Sequence, residues 1–182
     1  MRGFTLIELG IALAVLGILI MLGLPTFTTW IANTKIRTGA EAVLNGVQLA
    51  RAEAVRQNLQ VQFVLGGASG PTEWTVSAIG TGGALTQLQT RSSNEGSSNA
   101  TLGITPTGAT TITYNGMGRI TSNGDGTPTI SQIDVCSGAP IPTADMRKMR
   151  IVVGAGGNLR MCDPQVAAGD PRACTIVVAS AC

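Results

Sequence analysis

Met1-Arg2-Gly3-Phe4-Thr5-Leu6-Ile7-Glu8 opens the chain and runs into a stretch, Leu9 to Leu24, in which every residue is Ile, Leu, Val, Ala or Met except Gly10, Gly17 and Gly23. As a helix, Phe4 to Leu24 would extend about 31 Å at about 1.5 Å per residue, close to the hydrocarbon thickness of a bilayer. The segment is therefore predicted to cross a membrane. Arg2 precedes it and no basic residue follows until Lys35, which places the amino terminus in the cytoplasm and the remaining chain outside. Gly23-Leu24-Pro25-Thr26 has no small-residue cleavage pattern and no cysteine for lipid attachment, so the segment is expected to stay on the protein. Glu8 stands out, because a carboxylate inside a membrane span costs roughly 2.5–3.5 kcal/mol, so it either has a dedicated partner or lies near enough the interface to stay wet.

Composition separates this segment from the rest. Mean hydropathy over the 182 residues is +0.30, the average of an extreme apolar run and a polar remainder. Between Arg56 and Arg119 the only charges are Glu73, Arg91 and Glu95, among many Gly, Thr, Ser and Asn, as in a β-rich domain with long polar loops. The formal charge of +2 supplies no global field for nucleic acid. The sequence has no histidine, which removes the commonest general base, the Ser-His and Cys-His nucleophile pairs and imidazole-ligated zinc. A catalytic role, a cofactor and a metal site are accordingly not expected.

Beyond the apolar run, Ile36, Ala40, Val43, Leu44, Val47, Ala50 and Ala54 recur at three- and four-residue steps, opposite Arg37, Glu41, Gln48, Arg51 and Glu53. One helix is predicted to continue to about Gln57, with Asn58 as its stop and a strand at Val61-Gln62-Phe63-Val64. Arg51, Glu53 and Arg56 read as a solvated face. Further strands are expected at Trp74–Ile79, Leu85–Thr90, Thr110–Tyr114, Thr129–Val135, Met149–Val153, Asn158–Cys162 and Thr175–Ala179. Ile112 to Ile120 reads as a hairpin, with Asn115-Gly116 as its turn and Arg119 opening the return strand.

The basic leader ending in Gly3, followed by Phe4 and by a carboxylate four residues later at the start of an unbroken apolar stretch, resembles the processing site of type IV pilins and type II secretion pseudopilins. Leu49 to Asn58, the Ile112–Ile120 hairpin, Arg150-Ile151-Val152-Val153 and Gly157 to Cys162 are similar to the GspH/FimT group of minor pilins. Residues 66–110 match least and read as loops particular to this chain. The resemblance implies an α+β type IV pilin fold, with a long amino-terminal helix, membrane-spanning in its first half, packed on an antiparallel β-sheet head. It divides the chain into a leader (1–3), a transmembrane and assembly half-helix (4–25), an amphipathic half-helix (26–58) and a periplasmic head (59–182).

The same resemblance implies cleavage by a prepilin peptidase between Gly3 and Phe4, with methylation of the new amine, and pairing of Glu8 with a neighbouring subunit's amine. Gly17 and Pro25 fall where pilin-like helices carry a glycine and a proline, and both lower helix stability, so either local unwinding on assembly or a simple kink is expected there. The implied partners are the peptidase, other minor and major pilins and the inner membrane. The implied role is a non-catalytic minor pilin that primes or caps a pilus, or else a minor pseudopilin of type II secretion; the disulfides and Gly-rich loops favour the pilus.

Cys136, Cys162, Cys174 and Cys182 lie in the last third of a chain expected to be exported, so two disulfides are predicted rather than a metal site. Three connectivities are open; Cys162–Cys174 with Cys136–Cys182 is preferred, the first closing a local loop and the second pinning the terminus. Arg147, Lys148, Arg150, Arg160 and Arg172 form a modest basic surplus against Asp145, Asp163 and Asp170. Some members of the family bind DNA through a Gly-Arg-x-Arg patch, and Gly157-Asn158-Leu159-Arg160 keeps its second arginine and has Asn158 in place of the first. A DNA-binding minor pilin is the alternative that this stretch raises.

Overall fold

The structure, a computed structural model, describes residues 3, 5–67, 70–142, 144–174 and 182. One helix, α1 (Leu6–Gln57), runs for 52 residues and carries the whole fold. It continues through Gly17 and Pro25. The described side chains from Leu6 to Leu24 are exposed. From Ala32 onward one face turns inward, and Ile36, Ala40, Val43, Val47, Ala50 and Ala54 are fully buried. The helix ends where Asn58 adopts the left-handed conformation at φ 51° and its N–H bonds back to Ala54 and Val55.

Among the described residues nine strands follow: β1 (Gln60–Leu65), β2 (Trp74–Ile79), β3 (Leu85–Arg91), β4 (Ala100–Thr105), β5 (Thr111–Tyr114), β6 (Ile120–Thr121), β7 (Gln132–Ser137), β8 (Met149–Val153) and β9 (Leu159–Cys162). They form two antiparallel sheets, a five-stranded one in the order β3-β2-β1-β5-β6 and a four-stranded one in the order β4-β7-β8-β9. Both sheets pack on α1. Period-2 alternation sends Val61, Phe63 and Leu65 of β1, and Ile133 and Val135 of β7, into one continuous core with the helix stripe. Gly46 is the point of closest approach, since a Cβ there would lie 2.7 Å from Trp74 and 2.8 Å from Phe63. Those two rings meet at 5.9 Å directly over the helix backbone.

Three expectations need correction. The segment 66–110 supplies β2 and β3, the two strands expected within it, and also β4, which its reading as loops missed. The strand expected at Thr129–Val135 starts later, at Gln132, because Thr129 bridges to Thr111 of the other sheet instead. The hairpin turns over five residues rather than at Asn115-Gly116: Tyr114 pairs with Ile120, the positive φ of 71° falls on Gly118, and Arg119 lies in the turn. Asn115 stabilises that longer turn, its Oδ1 accepting from the N–H groups of Met117 and Arg119. The strand expected at Thr175–Ala179 lies outside the described residues.

Tyr114 is the only tyrosine of the chain, fully buried, and its hydroxyl has no hydrogen-bond partner among the described residues. Burial pushes its pKa up to about 12, with the Arg51 charge opposing in part. A raised folded-state pKa means that the native state holds the proton more tightly than the unfolded chain. This contribution to stability is complete below about pH 10, the unfolded value, and is lost as pH rises toward about 12. Absorbance at 295 nm should therefore titrate near pH 12 in the folded protein and near pH 10 in denaturant; a native midpoint at the denatured value would contradict the burial.

Candidate assembly surface

The amino-terminal end of α1 is closed by its own side chains. Thr5 is the N-cap; its Oγ1 accepts from the Glu8 N–H at 3.3 Å, and the Thr5 N–H and hydroxyl both donate to Glu8 Oε2 at 3.1 Å. This is a capping box. It holds the carboxylate against the positive end of the helix dipole, where a negative charge is favourable. The Thr5-x-x-Glu8 spacing was a visible signal for this arrangement, and the sequence reading gave Glu8 only an intermolecular partner. Gly3 is exposed just ahead of the cap, while Phe4 lies outside the described residues. Gly10, Gly17 and Gly23 have open space where a Cβ would be, so no described part of the head packs against the helix at these three positions. Pro25 lies within α1, and its side chain is outside the described set.

The amphipathic half is held to the head by polar ties that periodicity does not show. Asn33 Nδ2 donates to the carbonyl of Asp145 at 2.9 Å while its Oδ1 accepts from the Arg147 N–H at 2.8 Å. Arg51, expected on a solvated face, donates from Nε to the Gly118 carbonyl at 3.1 Å and so fastens the hairpin turn to the helix. Glu53 and Arg56 form a surface pair at 2.6 Å that Gln57 joins, as does Arg37 with Glu41 at 2.9 Å. Exposed pairs of this kind contribute little, about 0–1 kcal/mol each.

The basic residues of the last third do not form one surface. Arg150 is only 2% exposed and lies opposite Asp134 in the β7–β8 register, their closest atoms 2.6 Å apart in a two-point contact that Gln132 extends to Asp134 Oδ2. A guanidinium enclosed in this way is not available to a phosphate, so Arg150 leaves the expected set. Arg172 pairs with Asp170 at 2.9 Å, which holds that carboxyl at about 2. Lys148 donates from Nζ to the Cys182 carbonyl at 2.9 Å, and Arg160 donates to the Ala173 carbonyl at 3.1 Å. Arg147 is exposed.

The four cysteines form Cys136–Cys182 and Cys162–Cys174, the preferred pairing of the three. Cys136 belongs to β7 and Cys162 to β9, on either side of the strand that carries Arg150. The disulfides thus tie the carboxy-terminal segment across the sheet that contains the buried ion pair.

The family described as "Type II transport protein GspH" matches residues 39–157. The chain belongs to this family. Its match covers α1 from Gly39 onward and the head through the turn before β9. A search of curated proteins finds no match. Among solved structures, the type IV minor pilin FimU of Pseudomonas aeruginosa is similar at a TM-score of 0.51 and 14% identity, covering 71% of this chain and 92% of that one. The minor pseudopilin EpsH from the type 2 secretion system of Vibrio cholerae is similar at a TM-score of 0.49 and 12% identity, covering 74% and 99%. The likeness to FimU is one of fold, a long helix laid on antiparallel sheets. The chain is thus a GspH-family protein with the α+β fold expected from its sequence.

The ion pair at the centre of the four-stranded sheet gives a direct test of how the head is held. Truncating one member of a buried pair leaves an uncompensated charge, so Asp134→Ala should destabilise by about 3–5 kcal/mol. Replacing both partners, Asp134→Leu with Arg150→Met, should cost much less, and urea unfolding of the two variants side by side would show it.

Proposed function

We propose that this GspH-family chain is a minor subunit of a type IV pilus-like filament, structural rather than catalytic, which primes or caps assembly by adding its bare half-helix to the filament core. The observation that carries the proposal is the division of α1, whose second half is covered by two sheets while its first half exposes an unbroken apolar surface. A monomeric soluble protein does not leave so large an apolar surface in water. A bilayer covers it before assembly and neighbouring helices cover it afterwards, each square ångström buried being worth about 25 cal/mol relative to water. The helix is apolar and long enough to cross a membrane.

In this reading a prepilin peptidase removes residues 1–3, freeing and methylating the Phe4 amine. The inner membrane then holds the half-helix with the head in the periplasm. Glu8 bonds to its own helix terminus through Thr5 in the separate subunit and exchanges that partner for the amine of an adjoining subunit on incorporation. The absence of histidine from the sequence and the packing role of the other elements support a non-catalytic role. A secretion pseudopilus is the second reading, favoured by the family's own description as a type II transport protein. Adjacent genes for further minor pilins and a tip adhesin support the pilus; genes for a secretion apparatus support the pseudopilus. DNA binding has less support, since Arg150 is buried and Arg172 is paired.

Glu8→Val should leave leader cleavage intact, because the change lies beyond the scissile bond, and lower incorporation into filaments by more than tenfold. Truncating one partner of a desolvated charge pair costs about 2–5 kcal/mol. Immunoblots of sheared filaments against membrane fractions would measure it, and wild-type incorporation of the variant would rule out the assembly role of Glu8.

A further inference from the structure

Two features of α1 set its depth in a bilayer more closely than the length of its apolar run. Glu8 is the last charge before the span, and Trp30, 63% exposed, stacks with Phe27, 58% exposed, at a ring separation of 6.0 Å. Glu8 and Trp30 are 22 positions apart, about 33 Å along a helix, against about 30 Å of hydrocarbon. With Glu8 in the inner headgroup layer, the Phe27–Trp30 pair falls at the outer boundary, the depth at which tryptophan is enriched in membrane proteins. The alternative depth, hydrocarbon from Phe4 to Leu24, sinks the Glu8 carboxylate about 6 Å into the apolar core and lifts both rings into water.

The head meets the helix at this level. Trp30 and Asn33 form one wall of a cleft whose other wall is Pro140, Ile141 and Pro142. The two hydrogen bonds of Asn33 to Asp145 and Arg147 fix that wall about 4–5 Å beyond Trp30 along the helix. A headgroup layer is about 5–8 Å thick, so the wall falls within it. Its composition fits: apolar Pro-Ile-Pro and the exposed Arg147, which Asn33 holds at this level, with Asp145 the opposing acid.

We infer that this face of the head is a docking surface for the phosphate headgroup layer of the outer leaflet, entered by Phe27, Trp30 and Pro140-Ile141-Pro142, with Arg147 beside the phosphates and Glu8 in the opposite headgroup layer. The inference rests on the membrane reading proposed above. It gives the waiting subunit a fixed tilt, with the head lying on the bilayer.

The test uses the full chain in phosphatidylethanolamine–phosphatidylglycerol vesicles, carrying a fluorophore on one introduced cysteine at a time, the four native cysteines being paired. Val15→Cys reports the span, Ile141→Cys and Pro142→Cys report the surface, and Met117→Cys, on the exposed hairpin tip, reports water. Expected is quenching of position 15 by acyl-chain spin labels and of 141 and 142 by headgroup spin labels. The latter two should also be shielded several-fold from aqueous iodide relative to 117, with the shielding reduced by Arg147→Glu. Equal iodide access at 117, 141 and 142 with position 15 still deep would overturn the docking surface and leave the membrane reading standing. Iodide access at position 15 would overturn both. Shielding that vanishes on diluting the protein in lipid would assign the surface to a second copy and overturn the lipid assignment.

Discussion

Everything in this molecule depends on one helix whose two halves present different surfaces. The first half of α1 is apolar on every side and the second on one side only, and the change of pattern near Ala32 is where the head begins. The head cannot be understood apart from that stripe, because both sheets are closed by it. Its residues are small, with Gly39, Ala40, Gly46, Ala50 and Ala54 alternating with Ile36, Val43 and Val47, so the sheets approach the helix backbone closely. A methyl at Gly39 would already stand 3.1 Å from Thr72 and 3.3 Å from Ser97. Large stripe residues would bury more area but hold the sheets apart; overpacking a core costs about 1–3 kcal/mol per site.

Close approach has a polar consequence. With six aromatics in the chain, the core has few large side chains to spread over two sheets, and polar groups fill part of the interior. Several of them are paired with one another. Thr72 and Ser97 share a buried hydrogen bond of 2.6 Å, and Asn123 accepts from the Thr113 hydroxyl while donating to the carbonyls of Thr111 and Thr127. The Asp134–Arg150 pair does the same for the second sheet. Such contacts add little net stability, but each penalises any arrangement that breaks it. The two disulfides, which join β7 to Cys182 and β9 to Cys174, act in the same direction by limiting the unfolded chain.

What could be read from the sequence follows from this physics. Ile36 to Ala54 announce a stripe because helical spacing is periodic and the helix is long, and Asn58 announces its end because few residues adopt φ near 51° without strain. β4 escaped although Ala100, Leu102 and Ile104 alternate inward, since Gly103 interrupts the run and the neighbouring Gly, Ser and Asn look like loop. Arg150 was read as a surface cation because charge is visible in sequence while its neutralising partner lies 16 residues away and is brought opposite only by strand register. Asn33 gave no signal at all: its two bonds reach residues more than a hundred positions distant.

Glu8 joins these levels. In the separate chain its carboxylate is already satisfied, since the cap supplies two donors from Thr5 and lies at the positive helix end. An intermolecular amine therefore has to compete with an internal arrangement, not with an empty site. That competition is favourable only where water is absent, because in water the separate cap and a solvated amine have little to gain from meeting, while in hydrocarbon an unpaired amine is costly. The capping box thus lets a carboxylate wait at the edge of a bilayer at low cost and yield to a neighbour's charge once both are in an apolar core. In the assembly role proposed for this chain, the residue that marks the start of the apolar run in the sequence also governs when the subunit leaves the bilayer.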